Sequence, residues 1–316
     1  MRKAALLYNP DSGGTRRRQR ELQTALAVLQ SAGVEAELLL THSQQHARDQ
    51  ARRAIAEGCD TVFACGGDGT INNIAQVLAT TPVALGIFPM GTANALAHDL
   101  GLPIHLAEAA KAALHGRHRR IALGRITCQS LAGVSLSKYF VLAAGVGVDA
   151  HLFYKLHSGA KQRLGMTAYY SKAWNMWWTY RMARFSAEYF ETGAAALQKA
   201  EVTEVLAVRI RQFGNIVREL APGASLDRDD MRLILCKTAS RFAYISYVAG
   251  TLLRRPWIVP GIELIHSPHF RCDYPSNSSP SQRKIYVEAD GELIGSLPAE
   301  FTMVLDALTL LAPAKD

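Results

Sequence analysis

The sequence predicts an α/β domain with a parallel sheet, followed by a C-terminal antiparallel β-sandwich domain. In the first third of the chain, short apolar runs alternate with helical patterns. From about residue 121, β-leaning runs follow one another with few helical patterns between them. The chain has 316 residues, of which 49% are hydrophobic, and this is enough to build two separate cores.

The strands of the first domain are predicted from four apolar or β-leaning runs, at 4–9, 34–40, 61–65 and 83–88. The segments between them carry helical patterns, at 16–31, 44–57 and 71–80. Strands that alternate with helices of this length are typical of a parallel sheet covered by helices on both faces. Ligands of such sheets bind beyond the carboxyl ends of the strands.

The second half contains β-leaning runs with little helix, such as KYFVLAAGVGV, DMRLILC, KIYVEADGELIG and EFTMVL. This texture favours antiparallel sheets in a sandwich. Two helical patterns interrupt it, over 161–184 and 240–253, and residues 277–282 are predicted to form a loop. The change of pattern places a domain boundary near residue 122.

The chain carries 35 Lys and Arg against 27 Asp and Glu, so its formal net charge is +8. Such a surface attracts nucleotides, nucleic acids or acidic lipid headgroups, and the charge alone does not choose between them. The five cysteines form no C-x-x-C pair, which argues against a zinc ribbon or a disulfide framework and favours a reducing cytosol. The longest apolar stretches fall short of the ~20 residues that span a bilayer, so we expect any membrane association to be peripheral.

The segment VFACGGDGTINNIAQVL, residues 62–78, places an apolar strand before a glycine-rich loop and a helical pattern. Backbone N–H groups in such a unit form an anion site, and glycines let phosphate oxygens approach the main chain. Gly66, Gly67 and Gly69 meet that need, and Thr70 is positioned to add a hydroxyl and to cap the helix. Phosphates would repel Asp68 unless a cation lies between them, so we interpret it as a ligand of Mg²⁺ on a polyphosphate. The alternative, a tight turn with a helix cap, explains less of the motif.

Two further loops follow predicted strands in the same way. The first reads N-P-D-S-G-G over 9–14, and the second reads P-M-G-T-A-N over 89–94. In a parallel sheet both loops leave on the same edge as the glycine-rich loop, so we expect three small, polar loops to converge there. Thr41, at the end of the second strand, is either a further contact or a simple cap.

In their order and spacing, these motifs resemble the catalytic domain of the diacylglycerol kinase and sphingosine kinase family, in particular its soluble bacterial lipid kinases. The shared motifs are N-P-x-S-G, G-G-D-G-T and P-x-G-T-x-N. The likeness continues at AAGVGVDAHLF (143–153), APGASL (221–226) and EADGELIGSLPAEF (288–301). It therefore spans nearly the whole chain.

The resemblance implies an α/β nucleotide-binding domain and a β-sandwich lipid-binding domain, with ATP in the cleft between them and Mg²⁺ as cofactor. It implies that the last strand returns to the first domain, which gives domains of 1–122 with 304–316, and of 123–303. The implied ATP-binding residues are Asn9, Thr41, Gly66, Gly67, Asp68, Gly69, Thr70, Ile71, Asn72 and Thr92.

The D-G-E segment near the end of the chain is the second candidate site. The resemblance implies that Glu292 is the general base that takes the proton from a lipid hydroxyl. Phosphoryl transfer requires a carboxylate near the acceptor hydroxyl, so the residue type fits this chemistry. Taken alone, D-G-E is ordinary hairpin chemistry, and only its conjunction with the phosphate loops favours catalysis. We expect Asp290 to orient Glu292 or to contact metal through water, and we expect Asp68 to share the catalytic role.

Three positions depart from the family pattern. Relatives often carry Glu where this chain has Asn73, after Asn72. An Asp that is usual in the strand leading into the second domain is replaced by Ala122. In the segment where some members hold a structural Mg²⁺, Arg228 falls at the expected Asp, and only a one-residue shift would let Asp229 serve as the ligand.

The predicted helix over 161–184 carries aromatic and basic residues at helical spacing. Such a helix suits an interface with anionic lipid, or else its aromatic stripe packs on the sandwich and its arginines are solvated. Arg254 and Arg255, before Trp257, favour a lipid interface more weakly.

The sequence therefore predicts a cytoplasmic, ATP-dependent lipid kinase that phosphorylates diacylglycerol or a related lipid, with peripheral contact at the inner membrane face and no nucleic-acid partner. Two alternatives stay open. G-G-D-G also occurs in NAD kinases and phosphofructokinases, and a protein that keeps the fold without catalysis would bind lipid only. The sequence names neither the lipid nor the oligomeric state.

Overall fold

The computed structural model describes residues 1–10, 16–151, 182–213, 217–253, 258–275 and 284–313. The chain divides into two compact units. The first comprises Met1–Leu123, Ile210–Arg218 and Val304–Asp316, and the second comprises Gly124–Arg209 and Glu219–Met303. The predicted domains, 1–122 with 304–316 and 123–303, stay a prediction, because compactness does not test whether each would fold by itself.

Some sequence predictions concern residues outside the described ranges. They are the loop at 11–14, almost all of the aromatic helix predicted over 161–184, the basic site at Arg254 and Arg255, and the loop predicted over 277–282.

The first unit is built on a parallel sheet with the order β4-β3-β1-β2. Its strands are β1 (Lys3–Tyr8), β2 (Glu35–Leu40), β3 (Thr61–Gly66) and β4 (Ala84–Pro89). The final strand β17 (Glu292–Ala312) joins this sheet next to β4, in parallel, with Thr309 opposite Ala84. All residues of β3 and β4 are buried, as expected for central strands of a covered parallel sheet.

The helices of the first unit are α1 (Arg16–Ser31), α2 (Gln44–Ala56), α3 (Asp68–Leu78), α4 (Ala95–Asp99) and α5 (Leu106–Leu114). Apolar residues of α1 and α5 pack with the strands in one core, where the rings of Phe63 and Phe88 stack with their centroids 4.6 Å apart. Gly86 makes room for this stack, because a Cβ there would lie 2.4 Å from the Phe63 ring. The helix predicted over 71–80 is confirmed as α3, although α3 begins three residues earlier, at Asp68.

A short excursion from the second half of the chain completes the first unit. It contains β11 (Gln212–Phe213) and β12 (Val217–Arg218), which pair in antiparallel fashion. The carboxylate of Asp99, at the end of α4, accepts hydrogen bonds from the backbone N–H groups of Arg211 at 2.7 Å and Gln212 at 3.2 Å. These bonds fix the excursion against α4.

The second unit is antiparallel. Along one path the order is β14-β13-β10-β7-β16-β17, and β17 also pairs with β15, which leads on to β8 and β9. The hairpin of β5 and β6 joins β17 as well. The strands are β5 (Arg117–Gln129), β6 (Ser135–Phe140), β7 (Ala143–Gly147), β8 (Phe185–Phe190), β9 (Leu197–Val202), β10 (Glu204–Val208), β13 (Met231–Cys236), β14 (Ile262–Ser267), β15 (His269–Asp273) and β16 (Tyr286–Ala289).

The strands of both paths, the first from β14 to β17 and the second from β15 to β9, contribute side chains to one core. Val146 and Leu233 come from the first path, Phe185 and Phe270 come from β8 and β15, and Phe301 comes from β17, where the two paths meet. The rings of Phe270 and Phe301 stack with their centroids 4.1 Å apart. Antiparallel strands that enclose a common core form the predicted sandwich, so the predicted fold class is confirmed.

One helix of the second unit, α6 (Arg241–Leu252), confirms the helical pattern predicted over 240–253. Ser240 caps it, because its hydroxyl accepts a hydrogen bond from the N–H of Ala243 at 3.4 Å. The Tyr244 hydroxyl lies 2.8 Å from that of Thr203, and the Tyr247 hydroxyl donates to the carbonyl oxygen of Leu220 at 2.7 Å. These two tyrosines fix one face of α6 to the unit.

The five cysteines are all buried free thiols, in agreement with the sequence. Within the part of the chain that the structure describes, no helix combines the length and the apolar character needed to cross a bilayer.

Three carboxyl groups are gathered at the end of β7. Glu204 and Glu288 are buried, and Asp149 follows β7 in the G-V-G-V-D segment. Gly145 makes room for Asp149, because a Cβ there would lie 2.0 Å from its carboxylate. Burial raises the pKa of Asp149 to about 6. Burial, and then the charge of Asp149, raise the pKa values of Glu204 and Glu288 well above their ordinary values.

We expect Glu204→Gln to stabilise the protein at about pH 8 but not at about pH 5. A carboxyl group with a raised pKa holds its proton in the folded protein and loses it when the chain unfolds, so it costs stability as the pH rises above its ordinary value. Gln is neutral and keeps an oxygen for the N–H groups of Val148 and Asp149, which donate to Glu204 at 3.1 Å and 3.3 Å. The expected gain is on the order of 1 kcal/mol in the free energy of unfolding, measured with urea at both pH values.

Glu201→Gln is the matched control, because Glu201 is an exposed side chain near the same strands. It should change stability by less than about 0.5 kcal/mol at either pH. Equal destabilisation by Glu204→Gln at both pH values would show that Glu204 is charged in the folded protein.

Candidate functional site

The carboxyl ends of the parallel strands lie at one edge of the sheet in the first unit. Tyr8, the last residue of β1, is opposite Cys65 of β3 and Leu40 of β2. Gly66, the last residue of β3, is opposite Pro89 of β4. The loops that follow β1, β3 and β4 therefore leave from the same edge, as the sequence predicted.

A cavity of about 220 Å³ opens at this edge. Its lining residues come from β1, α1, the loop after β3, the start of α3 and the loop after β4; they are Tyr8, Arg18, Cys65, Gly66, Gly67, Gly69, Thr70, Met90 and Gly91. Among the described residues of this lining, Arg18 is the one charged side chain and there is no carboxylate. Burial raises the pKa of the Cys65 thiol, which stays neutral. The cavity therefore suits an anion.

The glycine-rich loop and the loop after β4 touch through their backbones. A Cβ on Gly91 would lie 2.5 Å from the Cα of Gly67, so neither loop could hold its place with a larger residue at Gly91. The N–H of Met90 donates to the carbonyl oxygen of Gly66 at 2.9 Å. The Asn94 side chain accepts from the N–H of Gly91 at 2.8 Å and donates to the carbonyl oxygen of Gly91 at 3.1 Å. These contacts give the cavity a fixed wall.

The N-terminus of α3 faces the same cavity. The helix begins at Asp68 with Gly67 as its N-cap, and no side chain caps it. The predicted cap by Thr70 is therefore wrong, because Thr70 lies inside the first turn, where its N–H donates to the carbonyl oxygen of Gly67 at 2.9 Å. Its side chain covers Gly66, where a Cβ would lie 2.4 Å from the Thr70 hydroxyl oxygen. An N-terminus without a side-chain cap leaves backbone N–H groups for a ligand.

Asp68 has a protein partner. Its half-buried carboxylate accepts a hydrogen bond from the backbone N–H of Leu96, in the first turn of α4, at 3.2 Å. Asp68 thus links the starts of α3 and α4 and is held in one orientation. Among the described residues, no group of three or more His, Cys, Asp or Glu side chains is arranged to hold a metal ion by itself.

Arg18 is a candidate site residue that the sequence did not single out. The sequence allows two interpretations of the arginine run at 16–18, a solvated helix start or a phosphate contact. In the structure the guanidinium of Arg18 lines the cavity and donates to the carbonyl oxygen of Met90. The available signal was electrostatic: three arginines crowd the positive end of a helix without an acidic residue in the first turn, which is unfavourable unless an anion lies nearby.

The remaining predicted ATP-binding residues are not among the described residues that line the cavity. Thr41 is buried directly after β2, where its N–H donates to the carbonyl oxygen of Tyr8 at 2.8 Å. Asn9 follows β1 and is half-buried, and Thr92 is exposed on the loop after β4. Ile71 and Asn72 are buried in α3, outside the cavity lining.

Asn73, at the position where relatives often carry Glu, connects two helices. Its side-chain oxygen accepts from the guanidinium of Arg48 at 2.6 Å, and its side-chain nitrogen donates to the carbonyl oxygen of Gln44 at 2.8 Å. Both partners lie on α2. In this chain the position therefore serves the packing of α2 on α3.

The D-G-E segment of the second unit forms a hairpin between β16 and β17, as predicted. Asp290 and Gly291 have φ angles of +48° and +79°, and Ala289 pairs with Glu292 across them. Two central residues with positive φ define the tight turn that Asp-Gly favours. Glu292 is consequently the first residue after the turn, and the turn fixes its backbone.

The carboxylate of Asp290 is occupied by backbone N–H groups. One oxygen accepts from Val141 at 2.9 Å, and the other accepts from Leu142 at 2.8 Å and Ala143 at 3.1 Å. Asp290 also donates its own N–H to the carbonyl oxygen of Ala143 at 2.8 Å. These bonds give Asp290 a structural role, since it holds the start of β7 against the turn that presents Glu292.

Glu292 makes an ion pair that the sequence did not indicate. One of its carboxylate oxygens lies 2.7 Å from the ammonium of Lys138 on β6, and both side chains are partly buried. Glu288, two residues before the turn, is buried and accepts from the N–H of Gly291 at 3.0 Å. Besides Asp290, the hairpin thus holds the partly exposed carboxylate of Glu292 and the buried carboxyl group of Glu288.

The predicted metal ligand Asp229 is exposed. Its neighbour Asp230 is buried and fully engaged: its carboxylate contacts Arg228 at 2.6 Å, Thr192 at 2.8 Å and His266 at 3.2 Å. Burial favours a higher pKa for Asp230, but the bonds from Arg228 and Thr192 outweigh it and lower the pKa. Arg228 thus forms an ion pair with the carboxylate of Asp230. The role of Asp229 in metal binding stays a prediction.

The first unit combines a parallel α/β sheet with a positively charged, glycine-lined cavity at a helix N-terminus, and the second presents a glutamate on a D-G-E hairpin. A glycine loop that precedes a helix N-terminus is a recurrent phosphate site, and an arginine beside it matches a polyphosphate. A fold and sites of this kind suit the chemistry of phosphoryl transfer.

This chain is similar to known proteins that are named diacylglycerol kinase. Residues 3–126 match the family model of the diacylglycerol kinase catalytic domain. The chain is 29% identical over 316 residues to the diacylglycerol kinase of Bacillus subtilis (strain 168), covering 99% of this chain and 97% of that protein. It is 28% identical over 317 residues to the diacylglycerol kinase of Staphylococcus aureus (strain MRSA252), covering 99% and 93%. The resemblance seen in the motifs is confirmed by these matches.

Solved structures share the fold. A diacylglycerol kinase from Bacillus anthracis str. Sterne, 17% identical, has a TM-score of 0.70 and covers 99% of this chain and 97% of that one. Yeast NADH kinase complexed with NADH, 10% identical, has a TM-score of 0.55 and covers 100% and 84%. At these identities the likeness concerns the fold alone. Together with the family match, it supports a phosphotransferase of the kinase type.

We expect Asp290→Ala to lower the free energy of unfolding by about 2 to 4 kcal/mol, because three backbone N–H groups lose a charged acceptor. Asp290→Asn should cost less than half as much, since it keeps one oxygen and tolerates positive φ. Urea unfolding monitored by circular dichroism measures both.

The control is Asp273→Ala, which removes an exposed carboxylate paired with Arg271 at 2.6 Å in the same unit. It should cost less than about 1 kcal/mol. A similarly small cost for Asp290→Ala would contradict the structural role of Asp290.

Proposed function

We propose that the protein is an ATP-dependent lipid kinase, which transfers the γ-phosphate of ATP to a hydroxyl group of diacylglycerol or a related lipid. The observation that carries this proposal is the glycine-lined cavity with Arg18, within residues that match a diacylglycerol kinase catalytic domain. The names of the curated relatives support the lipid acceptor.

In this proposal the phosphates of ATP bind in the cavity. The N–H groups at the start of α3 and the guanidinium of Arg18 supply hydrogen bonds and positive charge, and the glycines allow close approach. Asn9, Thr41 and Thr92, which follow β1, β2 and β4, are proposed to contact the rest of the nucleotide. Ile71 and Asn72 are proposed to act from inside α3 by supporting the loop.

Asp68 fits a magnesium ion that is shared with the substrate. Mg²⁺ at kinase sites is held by one or two carboxylates together with phosphate oxygens and water, so a full set of protein ligands is not required. The bond from Leu96 to one oxygen of Asp68 fixes the direction of the other. When bound, Mg²⁺ neutralises the developing charge on the phosphates. Asp68 would hold it there.

Glu292 is proposed to act on the acceptor. Its carboxylate accepts the proton of the lipid hydroxyl, the hydroxyl oxygen forms a bond to the γ-phosphorus, and the bond from that phosphorus to the β,γ-bridging oxygen breaks. ADP leaves with the electron pair of that bond. Lys138, paired with Glu292 at 2.7 Å, keeps the carboxylate in one orientation.

A second candidate acceptor is a dinucleotide. It is favoured by one observation, the likeness in fold to yeast NADH kinase. The curated relatives, which are similar over nearly their whole lengths, favour the lipid. A lipid-binding protein without catalysis is the remaining alternative, and an assay of phosphate transfer distinguishes all three.

Radiolabelled ATP should label diacylglycerol or a related lipid in mixed micelles, and should label NAD and sugar phosphates much less. Glu292→Gln should lower kcat by about 10² to 10⁴ while the protein stays folded, because it removes the proton acceptor and keeps the shape. Glu300→Gln is the control on the same strand, since Glu300 is exposed beside His269. It should leave kcat unchanged. Unchanged lipid phosphorylation by Glu292→Gln would remove Glu292 from the mechanism.

Gly69→Ala and Gly91→Ala should separate nucleotide binding from stability. A Cβ on Gly69 meets no atom within 4 Å, so Gly69→Ala should raise helix stability by up to about 1 kcal/mol. Its methyl group would project where the phosphates bind, and ATP affinity should fall at least about tenfold. Gly91→Ala should instead lower stability by about 1 to 3 kcal/mol, because it forces the two loops apart. Calorimetric titration with ATP and urea unfolding measure both effects.

Full ATP affinity in a stable Gly69→Ala protein would place the phosphates elsewhere. No loss of stability in Gly91→Ala would show that the contact between the two loops is dispensable.

A further inference from the structure

Helix α6 exposes an apolar face to solvent. The exposed side chains of this helix are Phe242 at 75%, Ile245 at 37%, Val248 at 47% and Leu252 at 49%. Every exposed position of α6 is thus a large apolar residue, at spacings of three and four that place them along one side. This is the reverse of an ordinary surface helix, which turns charged and polar residues outward.

The apolar surface extends past the end of the helix. Leu253 follows directly and is 63% exposed, and Ile258 is 100% exposed. Scattered apolar residues on a surface are normal, whereas a contiguous run marks an interaction site. We refer to the exposed side chains of Phe242, Ile245, Val248, Leu252 and Leu253 as the α6 face.

The side of α6 opposite the α6 face is bound to the rest of the second unit. Tyr244 is buried and contacts Thr203, and Tyr247 donates to the carbonyl oxygen of Leu220. Ser240 caps the first turn. Because these contacts fix the opposite side of the helix, the apolar side chains are presented outward by the fold.

The chain segment that carries the α6 face contains basic residues and no acidic residue. From Lys237 to Ile258 the sequence contains four basic residues and no acidic residue. Arg241 lies in the first turn of α6, and Lys237 precedes the helix and pairs with Glu263 at 2.6 Å. The other two, Arg254 and Arg255, follow in the sequence and lie outside the described residues. An apolar helix face in a basic segment matches a surface that is both apolar and negatively charged.

We propose that the α6 face docks on the surface of an anionic lipid bilayer, with its apolar side chains at the level of the acyl chains and the basic residues near the headgroups. This inference deepens the proposed function, since it supplies the contact through which an enzyme of lipids would reach its substrate. The binding itself requires no phosphate transfer and is measured without it.

Charge selects the bilayer over a second copy of this chain. Association through two α6 faces would bring two basic segments together in a protein whose net charge is already +8. An anionic bilayer covers the same apolar side chains and attracts the same charges. A neutral protein partner would gain nothing from the basic residues.

The test uses the full chain and two double variants with the same change in charge. Phe242→Asp with Val248→Asp places two carboxylates in the α6 face. Val134→Asp with Leu305→Asp is the control, because these apolar residues are exposed to a similar extent elsewhere, at 66% and 58%. Co-sedimentation is measured with phosphatidylcholine vesicles that contain or lack phosphatidylglycerol.

The wild-type protein should bind the phosphatidylglycerol vesicles more tightly than the neutral ones. The α6 variant should lose affinity for them by about tenfold or more, and the control variant should stay within about twofold of wild type. Equal losses in the two variants, or no binding by the wild-type protein, would overturn the proposal. So would a wild-type dimer that the α6 variant converts to a monomer with unchanged vesicle binding.

Activity separates this inference from the proposed function. With a short-chain acceptor dispersed in solution, the α6 variant should phosphorylate as fast as wild type, whereas with acceptor in vesicles it should be slower by about the loss in affinity. A protein that binds vesicles through α6 but phosphorylates no lipid would overturn the proposed function and leave the docking surface standing. Equal slowing with both acceptors would overturn the docking surface as the route to substrate.

Discussion

The contact between the backbones of Gly67 and Gly91 is the constraint on which the candidate nucleotide site depends. Because neither residue has a Cβ, the loops after β3 and β4 approach until a hydrogen bond forms between Gly66 and Met90. That approach places the N-terminus of α3 and the guanidinium of Arg18 around one cavity. The glycines therefore act twice: they shape the wall of the cavity, and they leave its interior open to an anion.

A comparable division of tasks holds at the D-G-E hairpin. Asp290 satisfies three backbone N–H groups and takes a positive φ, so its carboxylate is committed to the fold. This anchoring leaves the turn rigid, and Glu292 emerges from it with one carboxylate oxygen on Lys138. The general base that we propose at Glu292 must be positioned to act, and in this hairpin the positioning comes from an acidic neighbour two residues away. The two carboxylates of one short motif thus have different physical roles.

Local patterns allowed the strands, the glycine loops and the hairpin to be predicted, because each depends on residues adjacent in sequence. The failures concern contacts between distant residues. No local signal pairs Lys138 with Glu292, or turns Asp68 toward Leu96. The cap predicted for Thr70 was wrong because the helix already starts at Asp68, with Gly67 as its N-cap and no side-chain hydrogen bond at the cap. These contacts and the start of the helix can be determined only from the folded structure.

The fold does not choose the acceptor. A TM-score of 0.55 with an NADH kinase at 10% identity shows that one architecture is shared by proteins whose printed names differ in substrate. In the proposed function the glycine cavity binds the phosphates, which all such reactions share, so the choice of acceptor must come from residues outside the cavity. In this chain the distinguishing features are the ion pair of Lys138 with Glu292 and the apolar face of α6. A dinucleotide kinase has no use for exposed Phe242 and Val248, whereas an enzyme that must meet a bilayer does. The physical character of that surface is therefore an argument for a lipid acceptor that is independent of the phosphate loops.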